Sequence, residues 1–319
     1  MKVTYELVDK AYRKVRKNIR NKRKIREFET LYYSNINRLV SRINNGYIMG
    51  KYNVFFIKEK KYRLILSNDI EDKIYNHLVS DLILSKLDKY LIDSNVATRI
   101  NKGTSYARKL LDKYLVKLKN NDFYILKFDI KKYFFNIDHE VLMNKLTKYL
   151  NNDELVIIKN IVNETNYNYI NDSINRINFS NNLDLPLYEK NKGLSIGNMC
   201  SQMLAVFYLN DFDRYIKEEL GCRYYVRYMD DGIILMENKE CLKEVYGLLK
   251  EKICDYKLEF NSKTKIYRSS EGFDFLGIRY VVKNNKIRRR IKMNLRRKIV
   301  RRINKSNYKF YKHYFKYLK

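Results

Sequence analysis

Three acidic side chains occupy places where carboxylates are costly. Asp129 closes a nearly continuous apolar run, Phe-Tyr-Ile-Leu-Lys-Phe-Asp-Ile over 123–130, and Asp230-Asp231 lie between the β-rich runs 224–227 and 232–236. An ion in an apolar setting costs several kcal/mol unless a partner or a metal offsets it. Adjacent acids also repel one another, which raises a pKa until cations neutralise them. Three such acids on two strands suggest divalent metal. Magnesium takes oxygen ligands, keeps several waters and is typically shared between one or two carboxylates and substrate phosphates. Two ions about 4 Å apart serve phosphoryl transfer by activating an attacking hydroxyl and stabilising the leaving oxygen. An Asp-Asp pair alone is more often a solvated turn, so the assignment depends on what surrounds it.

The surrounding pattern is orderly. Residues 224–227 and 232–236 flank Tyr228-Met229-Asp230-Asp231 and read as a hairpin with acids at its tip. A second hairpin is expected from 53–57 and 62–66, split by the charged stretch 58–61, which gives it a cationic rim. Residues 1–30 carry eleven Lys/Arg against four Asp/Glu, with Val3, Leu7, Ala11, Val15 and Ile19 recurring every four positions, a basic amphipathic helix. Helical patterns also cover 69–92, 106–118, 139–150, 153–163 and 199–219, with Thr104 a candidate cap. Residues 164–192 are dense in Asn, Ser and Asp and hold the only proline, Pro186, so a long polar loop or insertion is expected there.

Composition narrows the partner. The 319 residues carry 66 Lys/Arg against 36 Asp/Glu, a net charge of +30, with 45% hydrophobic residues and one proline. That excludes disordered and collagen-like classes. The charge far exceeds the magnitude of about 2–8 that suits a small soluble domain, and with 30 tyrosines it points to nucleic acid. From 281 to 319 there are sixteen Lys/Arg and no acid, interleaved with Tyr308, Phe310, Tyr311, Tyr314, Phe315 and Tyr317. Cys200, Cys222, Cys241 and Cys254 match no zinc spacing, and free thiols are expected. His77 and His139 read as structural. With no signal peptide and no apolar run near 18 residues, a cytoplasmic protein without membrane contact is expected.

The order of these features resembles the reverse transcriptases. Phe128-Asp129 and Tyr228-Met229-Asp230-Asp231, roughly 100 residues apart, resemble motifs A and C. Lys61-Tyr62-Arg63-Leu64-Ile65 is similar to the fingers motif, Asn101-Lys102-Gly103-Thr104 to the following turn, and Asn261-Ser262-Lys263-Thr264 to motif D. Phe273-Asp274-Phe275-Leu276-Gly277 is similar to the primer grip of motif E. In the motif B position, Ile196-Gly197-Asn198 with Ser201-Gln202 looks like the variant of diversity-generating retroelement enzymes and related bacterial groups, some associated with phage defence. Ser195, where proline is common, and Gly232, where an aromatic often follows the acids, depart from the pattern.

The resemblance implies an α+β, right-hand polymerase: fingers over 1–120, a palm of antiparallel sheet and helices over 121–280, and a short basic helical thumb over 281–319. It implies an RNA-directed DNA polymerase that uses two Mg2+ ions, with Mn2+ as the alternative. Asp129 and Asp230 would be the main ligands, Asp231 a supporting acid and the Ile130 carbonyl a further oxygen. Arg63 and Lys61 would grip the triphosphate. Phe134, five residues after Asp129, would exclude a ribose 2′-hydroxyl by volume, its bland reading being a core aromatic. Gly197 would allow close backbone approach to nucleotide or template. Gln202 would join the nucleotide site, and Lys263 would stabilise or protonate the pyrophosphate leaving group, unless it is a surface lysine. Phe273, Phe275, Leu276 and Gly277 would hold the primer. Arg288, Arg289, Arg290, Arg296 and Arg297 would bind nucleic acid.

The implied partners are an RNA template, a DNA or RNA primer, dNTPs, a dedicated non-coding RNA and a small accessory protein. The length leaves no room for an RNase H, integrase or endonuclease region, so RNA removal is expected from elsewhere. A defence role is the runner-up, and a catalytically idle RNA-binding scaffold is the reading from another class.

Overall fold

The structure, a computed structural model, describes residues 1–19, 21–58, 61–304, 308–311 and 314. Glu59, Lys60, His313, Phe315 and Tyr317 lie outside the described residues. The chain divides into two units, each built from two stretches of sequence: Met1–Leu91 with Lys132–Leu209, and Ile92–Lys131 with Asn210–Lys319.

The first unit is mostly helical. The basic N-terminal stretch forms helices Tyr5–Asn18 and Lys22–Thr30 rather than one, because the Asn21 side chain accepts from the Arg23 and Lys24 backbone N–H groups and starts a new helix. The first of these buries Val8, Ala11, Tyr12 and Val15, so the apolar face drifts off the strict four-residue stripe, as a 3.6-residue period requires. Strands β1 (Asn53–Lys58) and β2 (Tyr62–Ser67) form the expected antiparallel hairpin. Helix Ile70–Leu82 and a 3-10 segment Leu84–Tyr90 follow. Asn152–Asn163 matches its pattern and is opened by an Asn151/Glu154 capping box, whereas the patterns over 139–150 and 199–219 give shorter helices, His139–Leu146 and Met199–Tyr208, the latter followed by the separate helical turns Asn210–Arg214 and Tyr215–Glu219.

The Asn-rich stretch is not a loop throughout. Asn168–Asn181 is a helix that buries Ile170 and Ile174 against Tyr52, Leu64, Leu66, Leu185 and Tyr188. Its asparagines work on the returning segment: Asn171 bonds both the N–H and the C=O of Tyr188, and Asn178 both those of Leu185. Side-chain amides thus take the place of a second backbone strand.

The second unit carries the two larger sheets. β3 (Tyr124–Phe128), β4 (Tyr224–Tyr228), β5 (Asp231–Met236) and β6 (Lys265–Arg268) form an antiparallel sheet in the order β4-β5-β3-β6. β7 (Phe273–Phe275), β8 (Ile278–Lys283) and β9 (Lys286–Ile291) form a second, antiparallel sheet. Helix Thr104–Leu118 packs Ala107, Leu111, Leu115 and Leu118 into a core shared with Phe123, Ile125, Val226, Ile233, Phe273 and Tyr280. Thr104 is its first helical residue and not its cap; Gly103, at φ +89°, stands in that position without a side-chain bond.

The expected helical thumb begins as sheet: among the described residues Met293–Arg302 and Tyr308–Tyr311 form helices, while the start of the basic tail lies in β8 and β9. Alternation of Ile278, Tyr280 and Val282 with exposed residues placed this segment in a strand, and charge alone did not disclose it. The four cysteines are free, as expected. Among the described residues no helix is long and apolar enough to cross a membrane.

Candidate active site

The register of the second unit's sheet brings the acids together. Phe128 on β3 lies opposite Gly232 on β5, and Tyr228 on β4 opposite Asp231 on β5. One step further along the β3–β5 register sets Asp129 level with Asp231, while Asp230 occupies the tight turn between β4 and β5. Asp129 is held from its other side: its carbonyl accepts from Asn261 N–H at 2.7 Å, and Ile130 bridges Phe260. Among the described residues no hydrogen bond uses the Ile130 carbonyl, the oxygen expected to face a metal.

The electrostatics follow from this crowding. Burial first, then the Asp231 and Asp129 carboxylates, push Asp230 up to about 7. Asp231 is also raised, by burial and by Asp129, against the pull of Lys127, whose Nζ stands 3.9 Å away. Among the described residues no three His, Cys, Asp or Glu side chains form a closed metal cage. Magnesium does not need one, since one or two carboxylates with waters and substrate phosphates suffice. Asp230 and Asp231, raised by burial and by neighbouring carboxylates with Lys127 as the nearby cation, fit a divalent cation.

The acid turn rests on a buried ion pair that the sequence reading missed. Arg227, fully buried, donates through Nε and Nη2 to the two carboxylate oxygens of Asp213 at 2.7 Å each. Tyr225 Oη and Asn95 Nδ2 add further bonds to Asp213 at 2.6 and 2.9 Å. The remaining Arg227 nitrogen, Nη1, donates to the carbonyl of Met229 at 2.6 Å, and Met229 sits in the left-handed region at φ +57°. A planar guanidinium thus ties the strained residue before Asp230 to a fixed anion. The signal was present as a charged residue inside the run Tyr-Tyr-Val-Arg-Tyr.

Gly232 has a physical reason for lacking a side chain. A Cβ there would stand 2.0 Å from Phe128 Cζ, so the ring preceding Asp129 fills the space that an aromatic at 232 would take.

Other expected residues of the second unit divide. Lys263 is exposed, its N–H bonded to Asn261 Oδ1 in the same turn whose Asn261 N–H holds Asp129. Phe273 and Phe275 are core side chains, 0% and 1% exposed, because β7 turns both inward. They shape the Leu276-Gly277 turn and present no ring to a primer. That turn is constrained, with Leu276 at φ +45° and Gly277 at φ +83°, where a Cβ would meet Leu295 Cδ2 at 2.3 Å. Arg288, Arg290, Arg296 and Arg297 are exposed, whereas Arg289 faces the other side of β9 and pairs with Asp112 at 2.6 Å. Arg289 is therefore committed inside the protein.

The first unit holds Lys61, Arg63, Phe134, Gly197 and Gln202. Lys61 and Arg63 lie at the start of β2 and are exposed; Leu64 and Leu66 face the core while Arg63 and Ile65 share the opposite face. Ile65 touches the Gly197 turn: a Cβ on Gly197, at φ +122°, would stand 3.3 Å from Ile65 Cγ2 and 2.6 Å from the Leu66 carbonyl. The Leu66 N–H bonds the Ile196 carbonyl at 2.8 Å, so the glycine admits the β2 backbone. Gln202 is exposed and, with Gly197, Asn68 and His77, lines a cavity of about 710 Å³. Phe134 is half-buried on the short helix Tyr133–Asn136 and meets the Tyr133 ring edge-on at 5.9 Å.

Ser195 also has its reason. Its Oγ lies 3.1 Å from Tyr52 Oη and 3.0 Å from Ser201 Oγ, and Tyr52 Oη accepts from Asn198 Nδ2 and donates to Glu164. Burial pushes Glu164 up to about 8. A proline at 195 would remove both Ser195 bonds from this buried chain. His139 is structural as read, its Nε2 being 2.7 Å from the Gly193 carbonyl, and Cys200 is packed with Sγ on the Asn76 carbonyl at 3.2 Å.

No curated protein matches the sequence. The fold is similar to telomerase from Candida albicans, solved with a TWJ fragment of telomeric RNA: TM-score 0.55, 15% identity, 82% of this chain and 49% of that one. It is also similar to apo telomerase from Candida tropicalis truncated from its C-terminal domain: TM-score 0.53, 13% identity, 79% of this chain and 58% of that one. The chain thus spans about half the length of these structures, and at such identity the likeness concerns the fold, a polymerase fold of mixed helices and antiparallel sheets. The sequence profile described as "Reverse transcriptase (RNA-dependent DNA polymerase)" matches residues 51–280, a span that takes in both hairpins, all three acids and the Leu276-Gly277 turn. With most of its length inside that match, the chain belongs to the reverse transcriptase family.

Proposed function

We propose that this protein is an RNA-directed DNA polymerase that makes cDNA by nucleotidyl transfer. The observation that carries the reading is the β3–β5 register, which sets Asp129 level with Asp231 beside Asp230, where burial and neighbouring carboxylates disfavour the charge of Asp230 and Asp231. Asp129 and Asp230, with Asp231 and the Ile130 carbonyl in support, would hold two Mg2+ ions, or Mn2+. Such ions supply hydroxyl activation and charge stabilisation at the transferring phosphorus. The Arg227–Met229 bond keeps Asp230 at a fixed height on its turn. Arg63 and Lys61 hold triphosphate oxygens, and Lys263 stands by the leaving pyrophosphate. The Phe134 ring excludes a 2′-hydroxyl, and the Leu276-Gly277 turn supports the primer strand.

The motif B variant Ile196-Gly197-Asn198 supports placement in a diversity-generating retroelement, with an RNA template, a dedicated non-coding RNA, a small accessory protein and a cytoplasmic setting. A template and variable repeat pair beside the gene is the expected context; a defence island would assign it to the phage-defence groups instead. The biochemical test is extension of a DNA primer on an RNA template with dNTPs and Mg2+. Wild-type synthesis that disappears in Asp230→Asn is expected. RNA binding by both proteins with synthesis by neither would make the protein a scaffold.

A further inference from the structure

The second unit buries two arginines and treats them in opposite ways. Arg227 has a carboxylate on two of its nitrogens and a carbonyl on the third. Arg108, on helix Thr104–Leu118 and 2% exposed, has no carboxylate among the described residues. Its Nη2 donates to the Leu276 carbonyl at 2.6 Å and to Tyr314 Oη at 2.8 Å. The Tyr314 ring covers the guanidinium, with its centroid 4.2 Å from Cζ. Nε and Nη1 have no hydrogen-bond partner among the described residues.

A buried cation without an anion carries a steep cost that one carbonyl, one hydroxyl and an aromatic face offset only in part, which implies that the protein alone is not the whole site. The missing component carries negative charge, and a fork of free N–H donors fits a planar or tetrahedral oxyanion. Its position narrows the choice. Leu276, whose carbonyl Arg108 holds, is in the turn that supports the primer strand. Tyr228, one residue before the Met229-Asp230 turn, packs in the same apolar cluster as Leu276 and Tyr314.

We infer that Arg108 is a ligand for a backbone phosphodiester of the primer strand, and that Tyr314 masks it while nucleic acid is absent. The inference rests on the polymerase reading for the identity of the strand. On binding, the Tyr314 ring gives way and the phosphodiester takes Nε and Nη1, while Nη2 keeps the Leu276 carbonyl.

The test is binding of a fluorescein-labelled DNA primer on an RNA template, by anisotropy across a salt series, in EDTA and without dNTPs. Arg108→Gln should weaken binding about tenfold and reduce the slope of log K against log salt by roughly 0.7–0.9, the value of one phosphate contact. Tyr314→Ala, which keeps Arg108, should tighten binding several-fold. If Arg108 only props the turn, both variants lose affinity along with melting temperature and keep the wild-type slope, which overturns the inference even when synthesis persists. Conversely, the expected slopes in a protein that makes no DNA would sink the polymerase reading and leave the phosphate site standing.

Discussion

Asp213→Asn isolates the support beneath the Met229-Asp230 turn. The change is nearly isosteric, but it leaves the fully buried Arg227 guanidinium without an anion. Removing one partner of a buried pair typically costs about 3–5 kcal/mol. Against a domain stability of about 5–15 kcal/mol, that brings this unit close to unfolding. Adding Arg227→Met removes the stranded charge, while the new amide at position 213 keeps one oxygen to accept from Tyr225 and, once the Asn95 amide turns over, donates to Asn95 Oδ1, which has no partner among the described residues. The double variant should therefore recover most of the lost stability. It should not recover synthesis, because the Met229 carbonyl has lost its charged donor. A hydrogen bond to a charged group contributes about 1.5–3 kcal/mol, so kcat should stay about ten- to a hundredfold low. The assays are urea denaturation and primer extension on the wild type, both singles and the double. A loss below about 1 kcal/mol in Asp213→Asn would refute the stranded-charge argument. A double variant with wild-type kcat would refute the role of Arg227 in positioning the turn.

Three further outcomes are expected. Phe134→Ala should raise the ratio of kcat/KM for NTP over dNTP, and an unchanged ratio would make Phe134 a core aromatic. Glu164, raised by burial to about 8 from a usual carboxylate near 4.5, binds a proton more tightly folded than unfolded. Its stabilising share is complete below pH 4.5 and is lost as pH rises through 8, by on the order of a few kcal/mol. Glu164→Gln should flatten that fall, as read from urea midpoints at acid, neutral and alkaline pH; an identical pH profile would contradict the assignment. Neutralising Arg288 and Arg290 should reduce the salt slope of RNA binding with little change in melting temperature, whereas Arg289→Gln should lower the melting temperature through loss of the Asp112 pair. Equal behaviour of all three would undo the division of β9 into two faces.

Two kinds of information meet in this chain. The acids were legible in sequence because a carboxylate in an apolar run is an anomaly of local composition, and the hairpins because alternation and charged turns are local too. The same holds for the net charge of +30, which needs no fold to be counted. What depended on tertiary structure were relations between residues far apart in sequence. The Asn168–Asn181 helix looked like loop because its stabilisation comes from amides bonding a segment up to seventeen residues later. Gly197 and Gly232 read as a motif element and as a departure; their reasons are the Leu66 carbonyl and the Phe128 ring, neither adjacent in the chain. Phe273 and Phe275 belong to the core, and Arg289 differs from its two neighbours, because a strand sends successive side chains to opposite faces. Arg108 and Arg227 are the sharpest case: both are simply basic in a basic sequence, and only burial, with an anion beside Arg227 and none among the described residues beside Arg108, separates the two.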